Sequence, residues 1–205
     1  MKYSTKLLFL FLMLSNFAKA QQIPHSVCFY YNWYGSKAID GDNYHWKHPV
    51  MPENDKDTTK KVFPGNGDIG ANYYPAAGEY SSADSLIVKQ HMQQMAKAGF
   101  NIVAVTWLGV QDYTFKSLPF IFKYAAQSNL KVCFQIEPCM RITALSTVQE
   151  MIYLTKQFGK ETAYYRDEKT NKPLFFVYDS YVIDAKEWNK VLNKSNDEVL
   201  FRNTV

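Results

Sequence analysis

Cysteine is scarce: Cys28, Cys133 and Cys139 are the only three in 205 residues. The count is odd and Cys28 and Cys133 lie inside apolar runs, which favours buried thiols over a disulfide framework, with a Cys133 to Cys139 bridge as the alternative. Phosphate-binding fingerprints are missing as well. Gly67, Gly70 and Gly78 most simply permit turns, since no G-x-G-x-x-G or P-loop follows a strand. Surplus charge is absent once the N-terminus is set aside. Discounting Lys2, Lys6 and Lys19 lowers the basic total from 23 to 20 against 19 acidic groups, a net charge of +1. Nothing in that balance calls for nucleic acid or an anionic membrane. The apolar run Leu7 to Leu14 is too short for a membrane span. With a basic start and Ala18-Lys19-Ala20 behind it, it reads as a signal peptide over residues 1–20, giving a secreted or periplasmic chain that starts near Gln21. No cysteine follows the cleavage site, so a lipid anchor is not indicated.

Aromatics, at 16%, are plentiful and gather at segment ends, which suggests binding surfaces as well as core. The remaining chain of about 185 residues makes one domain or part of a larger one. Ser26 to Tyr31 reads as a strand that runs into Tyr31, Trp33, Tyr34 and Gly35. Gly35 to about Asn72 is a long loop without helical period, and loops of that length are usually functional. Ser82 or Asp84 caps a helix whose apolar positions are Ile87, His91, Met95 and Ala98, closed by Gly99. A second strand follows over Asn101 to Trp107, then a helix over Phe115 to Ser128 that stops at Asn129. Thr147 to Phe158 is a further helix, Pro173 to Tyr178 a fourth strand and Ala185 to Leu192 a last helix.

The third strand lies in Lys131 to Arg141, KVCFQIEPCMR. Its apolar run is too short for a helix and stops at Glu137, which Pro138 holds extended while ending the ladder. Glu137 therefore stands where a buried strand opens into a loop. It either reaches a ligand there or steadies the loop against Arg141. Strand and helix alternate four times and the strands are apolar throughout, which predicts an α/β fold with a parallel sheet covered on both faces. Ligands bind outside the carboxyl ends of such strands, where Tyr31, Trp33, Trp107, Glu137, Tyr178 and Asp179 gather. A (β/α)8 TIM-type barrel has eight such units, and this chain supplies about the first four.

Several motifs recur in a familiar order: Tyr30-Tyr31-Asn32-Trp33-Tyr34-Gly35, His45-Trp46-x-His48-Pro49, Asp68-Ile69-Gly70 with Tyr74-Pro75-x-x-Gly78, His91-Met92-x-Gln94-Met95, Ile136-Glu137-Pro138, and Phe176-Val177-Tyr178-Asp179-Ser180-Tyr181. In order and spacing they resemble the glycoside hydrolase family 99 endo-α-mannosidases, over essentially all of residues 21–205. The resemblance implies a partial (β/α)8 barrel, the N-terminal half of a catalytic domain that cleaves internal α-mannosidic bonds with retention and without a cofactor or required metal. It implies two glutamates near the last barrel strand, one acid and base at the glycosidic oxygen, the other deprotonating the sugar 2-hydroxyl towards an epoxide-like species. No Glu-x-x-Glu pair occurs in this chain, so no catalytic residue is assigned and the chain is expected to be inactive alone.

The substrate-binding residues so implied are Glu137, Tyr31, Trp33, His45, Trp46, Trp107, Tyr178, Asp179 and Tyr181, and the partner is an α-mannoside-containing glycan. Strand-end aromatics can equally be lids on the core. Asp179 has capping of the next helix as its alternative, His45 and His48 make only a weak zinc signal, and His91 reads as a partnered core histidine. The sequence departs from the family at Gln135 and Cys139, where His and Tyr are common, and at Leu108, where many members carry an aromatic. A secreted, non-catalytic glycan-binding remnant is the alternative function. A glycosyltransferase-associated barrel is disfavoured, because secretion separates it from sugar-nucleotide donors. Uncovered sheet edges also predict self-association.

Overall fold

The computed structural model describes residues 25–46, 69–70, 73–137, 143–195 and 200–203. Residues 1–20, expected to be a signal peptide, and His48, Gly67, Cys139 and Arg141 lie outside the described residues, and with them the His45–His48 pair, the Glu137–Arg141 pair and the Cys133–Cys139 bridge.

Five parallel strands, β1 (Val27–Tyr30), β2 (Ile102–Trp107), β3 (Lys131–Ile136), β4 (Leu174–Val177) and β5 (Leu200–Asn203), lie side by side in chain order. Their registers are unbroken: Val27 pairs Ile102, Ile102 pairs Lys131, Phe134 pairs Phe175 and Leu174 pairs Leu200. Sequential order with helical crossovers is the barrel-type arrangement, as far as five strands can take it. The four expected βα units are present, and β5 adds a strand to them.

The helices begin and end where side chains satisfy their free backbone groups. A short helix, α1 (Lys37–Asp40), interrupts the loop that was expected to hold no helix. In α2 (Ser85–Lys97) the Asp84 carboxylate accepts from the Leu86 amide, and Gly99, at φ +90°, ends the last turn. The buried stripe of α2 is Val88, Met92 and Met95, rotated from the expected one, so Ala98 is exposed and Ile87 and His91 sit on its shoulder. A 3-10 turn at Tyr113–Ser117 leads into α3 (Leu118–Gln127), and Asn129 at φ +56° ends it as expected. The helix α4 (Ala144–Phe158) starts a turn before the expected Thr147, because Thr143 and Ser146 form a capping box. A second 3-10 turn, Ser180–Val182, precedes α5 (Ala185–Ser195).

Strand alternation divides the side chains between two faces. Val103, Val105, Val132, Phe134, Phe175 and Val177 point to the helices and form the main core with Met92, Ile121 and Leu154. Ile102, Ala104, Cys133 and Leu174 point the other way and form a smaller cluster, with Val27 and Phe176 beside it. Cys133 is a buried free thiol with its pKa pushed well up by desolvation, and Cys28 is half-buried. No helix among the described residues is long and apolar enough to cross a membrane.

Candidate functional site

Parity along the strands decides which end residues share the inner face. Continuing from Cys133 by twos gives Gln135 and Glu137, from Leu174 gives Phe176 and Tyr178, and from Val27 gives Phe29 and Tyr31. The ladder runs one residue past the strands: the Glu137 amide donates to the Trp107 carbonyl at 3.1 Å and the Tyr178 amide to the Ile136 carbonyl at 3.0 Å. Glu137 and Tyr178 are thus neighbours at the mouth of the sheet.

The Glu137 carboxyl is half-buried and its pKa is raised, chiefly by desolvation; the Gln135 amide opposes the rise and the Asp179 carboxylate adds to it. The Gln135 Nε2 group donates to Glu137 Oε1. Tyr178, 46% exposed, has its phenol pKa raised by Asp179 first and also by desolvation, Glu137, Tyr181 and Tyr31. Glu137, Tyr178, Asp179, Tyr181 and Tyr31 therefore form one electrostatic neighbourhood. Asp179 takes a left-handed conformation, φ +49°, and makes no side-chain capping bond to the turn after it. The capping alternative fails, and its carboxylate acts instead on Glu137 and Tyr178.

Beside this group Tyr31 stacks on Trp33 at 4.7 Å between ring centroids, and Trp33 on His45 at 4.8 Å with the planes 9° apart. His45, at φ +59°, is held in a conformation that non-glycine residues seldom adopt. Trp33, Tyr34, His45 and Gly70 line a cleft of 270 Å³. Half-exposed phenols, a carboxylate and partly exposed aromatic rings are what a polyhydroxylated ring can use: acceptors for hydroxyls and an apolar surface for C–H bonds.

Two expected contacts are corrected. Trp107 lies on the helix-facing side, 1% exposed, stacked on Tyr153 with its Nε1–H donating to Glu150 Oε2 at 2.8 Å. The reason is parity: it continues Val103 and Val105, and it is a lid on the core. Trp46 is 2% exposed, stacked on Tyr34 at 4.0 Å, with its indole N–H donated to the Tyr80 carbonyl, so it props the aromatic cleft from behind. His91 is a partnered histidine, as the sequence suggests: its Nδ1 lies 3.0 Å from the Tyr30 hydroxyl, between the Tyr30 and Tyr80 rings, and burial lowers its pKa. Among the described residues no group of three His, Cys, Asp or Glu side chains could hold a metal ion. Thr106 and Gln135, paired across β2 and β3, complete a polar row on the inner face that was not assigned to the site from the sequence. The signal was there, since Thr106, Gln135 and Glu137 all share the parity of Ala104 and Cys133.

These groups stand at the carboxyl ends of parallel strands, where barrels of this type place their sites. The chain belongs to glycosyl hydrolase family 99, whose sequence model matches residues 22–205. It is 33% identical over 183 residues to the glycoprotein endo-α-1,2-mannosidase of Rattus norvegicus, covering 83% of this chain and 40% of the rat protein. To the Xenopus laevis glycoprotein endo-α-1,2-mannosidase it is 32% identical over 189 residues, 86% of this chain and 42% of that protein. A family 99 endo-α-mannosidase structure from Bacteroides thetaiotaomicron superposes with a TM-score of 0.79 at 35% identity, over 88% of this chain and 55% of that one. The chain spans less than half the length of these two curated relatives.

Proposed function

We propose that residues 21–205 are the N-terminal half of an endo-α-mannosidase-type catalytic barrel that is secreted or periplasmic, with residues 1–20 as its signal peptide. Its substrate is an α-mannoside-containing glycan. Glu137, Asp179, Tyr178, Tyr181 and Tyr31 bind the mannose at the cleavage position, and the Trp33–His45 stack carries the neighbouring sugar. The observation that carries this reading is the convergence of Glu137, Tyr178 and Asp179 at the carboxyl ends of neighbouring parallel strands. The family membership of the chain supports it, and so does the activity printed in the relatives' names. The hydrolase reading is thereby favoured over a purely glycan-binding remnant.

Glu137 accepts hydrogen bonds from sugar hydroxyls, or holds positive charge that develops on the ring. Proton transfer to the glycosidic oxygen needs a second, suitably placed carboxyl, and the chain holds no Glu-x-x-Glu pair to supply it. The test combines calorimetric titration of the chain with an α-mannobioside and hydrolysis of a fluorogenic α-mannobioside. Saturable binding lost in Glu137→Ala, with no turnover, is the expected result. Turnover by the chain that disappears in Glu137→Gln would overturn the division of labour, and absence of binding to a folded chain would overturn the site.

A further inference from the structure

We infer that Gln135 is a positioning residue for Glu137: its buried amide fixes one carboxylate oxygen and leaves the other for the sugar. The inference deepens the proposed function and rests on it for the identity of the ligand, while its geometric content concerns this chain alone.

Gln135 is 2% exposed in a strand whose other interior positions are apolar, so its amide must find a partner or be left buried and unsatisfied. It donates to Glu137 Oε1, two residues on and on the same face. Thr106 stands directly across from Gln135, 1% exposed, and its hydroxyl has no hydrogen-bond partner. The amide is thus committed to the carboxylate, the stronger acceptor, while the hydroxyl directly across from it goes without a partner. Below this row the inner face is Ala104 and the Cys133 thiol, which is at most a weak donor. A hydrogen bond to the ionised form favours that form, against the burial and the Asp179 charge that disfavour it. Among the described residues, the other titratable groups facing Glu137 are Asp179 and Tyr178 after β4, with Tyr31 and Tyr181 beside them. Among these groups and Gln135, only the Gln135 amide donates without titrating itself. Gln135 thereby sets both the orientation of the carboxylate and the pH down to which it stays charged.

The experiment is a carboxyl-carbon NMR titration of the full chain labelled at glutamate, with the Glu137 resonance assigned by its loss in Glu137→Gln. The variants are Gln135→Met, near-isosteric without a donor, and Gln135→Asn, which keeps the amide one methylene too short to reach. In both, the Glu137 midpoint moves to higher pH and the Kd for an α-mannobioside at pH 6 rises about tenfold. Gln135→His restores a donor and brings the midpoint back down. A structural role alone would leave the midpoint where it is, and an unmoved midpoint in either folded variant overturns the inference. Wild-type chain that binds no mannobioside while the midpoint shifts as described would sink the functional reading and leave the positioning role standing.

Discussion

On the helix-facing side of the sheet Phe134, Phe175 and Trp107 are wholly enclosed. On the other side Phe29 and Tyr31, carried by the same kind of alternating strand, keep 39% and 40% of their surface in water. The first face is a finished core, with Phe122 stacked on Phe158 at 5.0 Å and Leu118, Ile121 and Leu154 closing it from the helices. The second has a narrow apolar floor, where Phe29 meets Phe176 edge-on at 5.0 Å, and above it the polar row that leads to Glu137. One face is closed by the helices, and the other carries the proposed site and the surface expected to self-associate. A substitution should therefore change either melting or ligand binding, according to its parity.

The largest break is at Phe134. Phe134→Ala opens a cavity between β3 and α4 and should cost about 3–5 kcal/mol, read as a lowered midpoint in urea, enough to unfold a domain of ordinary stability. The inner-face counterpart Phe29→Ser should cost less than about 1 kcal/mol, because much of that ring is already wet. Its effect lies in association. Among the described residues Phe29 stands on the edge strand, β1, beside an inner face left partly open, and the chain is expected to self-associate there. Light scattering behind size exclusion should find a smaller concentration-dependent mass for Phe29→Ser than for the parent. Equal losses of stability from the two substitutions would erase the distinction between the faces.

Trp107→Phe probes the same division at the mouth, where both faces come within one residue of each other. The ring volume is mostly kept, but the hydrogen bond to Glu150 is lost, at about 1–2 kcal/mol in stability. Because Trp107 faces the helices, the Kd for an α-mannobioside should stay within about twofold of the parent, a difference of less than ~0.5 kcal/mol. A large loss of affinity without loss of stability would return Trp107 to the site.

The alternation of strands and helices was legible in the sequence because each strand is a short apolar run bounded by punctuation: Gly99, Asn129 and Gly159 all end helices near the expected places. The gathering of Tyr31, Glu137, Tyr178 and Asp179 was legible too, since parallel strands deliver their carboxyl ends to one side. Parity was harder to read. In IVAVTW every residue is buried, so burial does not say which neighbour Trp107 follows, and only the polar residues Thr106, Gln135 and Glu137 mark the inner face. The start of α4 was misplaced because a Thr–Ser capping box lacks the usual glutamate or glutamine three residues after the cap. The stacking of His45 on Trp33 depends on a left-handed residue in a long loop, and no periodic pattern announces that.

The finest test of the two faces concerns the sign of a small effect. Burial of the Glu137 carboxyl raises its pKa in the fold, so the native state holds that proton more tightly than the unfolded chain does. Its contribution to stability is present in full below the unfolded carboxylate value and is lost as pH rises through the folded one. At neutral pH the charged Glu137 is therefore a load on the fold. Glu137→Gln keeps an acceptor for the Gln135 amide and removes the charge beside Asp179. It should melt slightly higher than the parent at pH 7, within about 0.5 kcal/mol because the group is half open to water, and no higher at pH 3. The same substitution should weaken mannobioside binding at pH 7. A core carboxylate serving structure would show the opposite sign, lower melting at pH 7, so a differential scanning calorimetry trace at these two pH values separates a residue kept for the ligand from one kept for the fold.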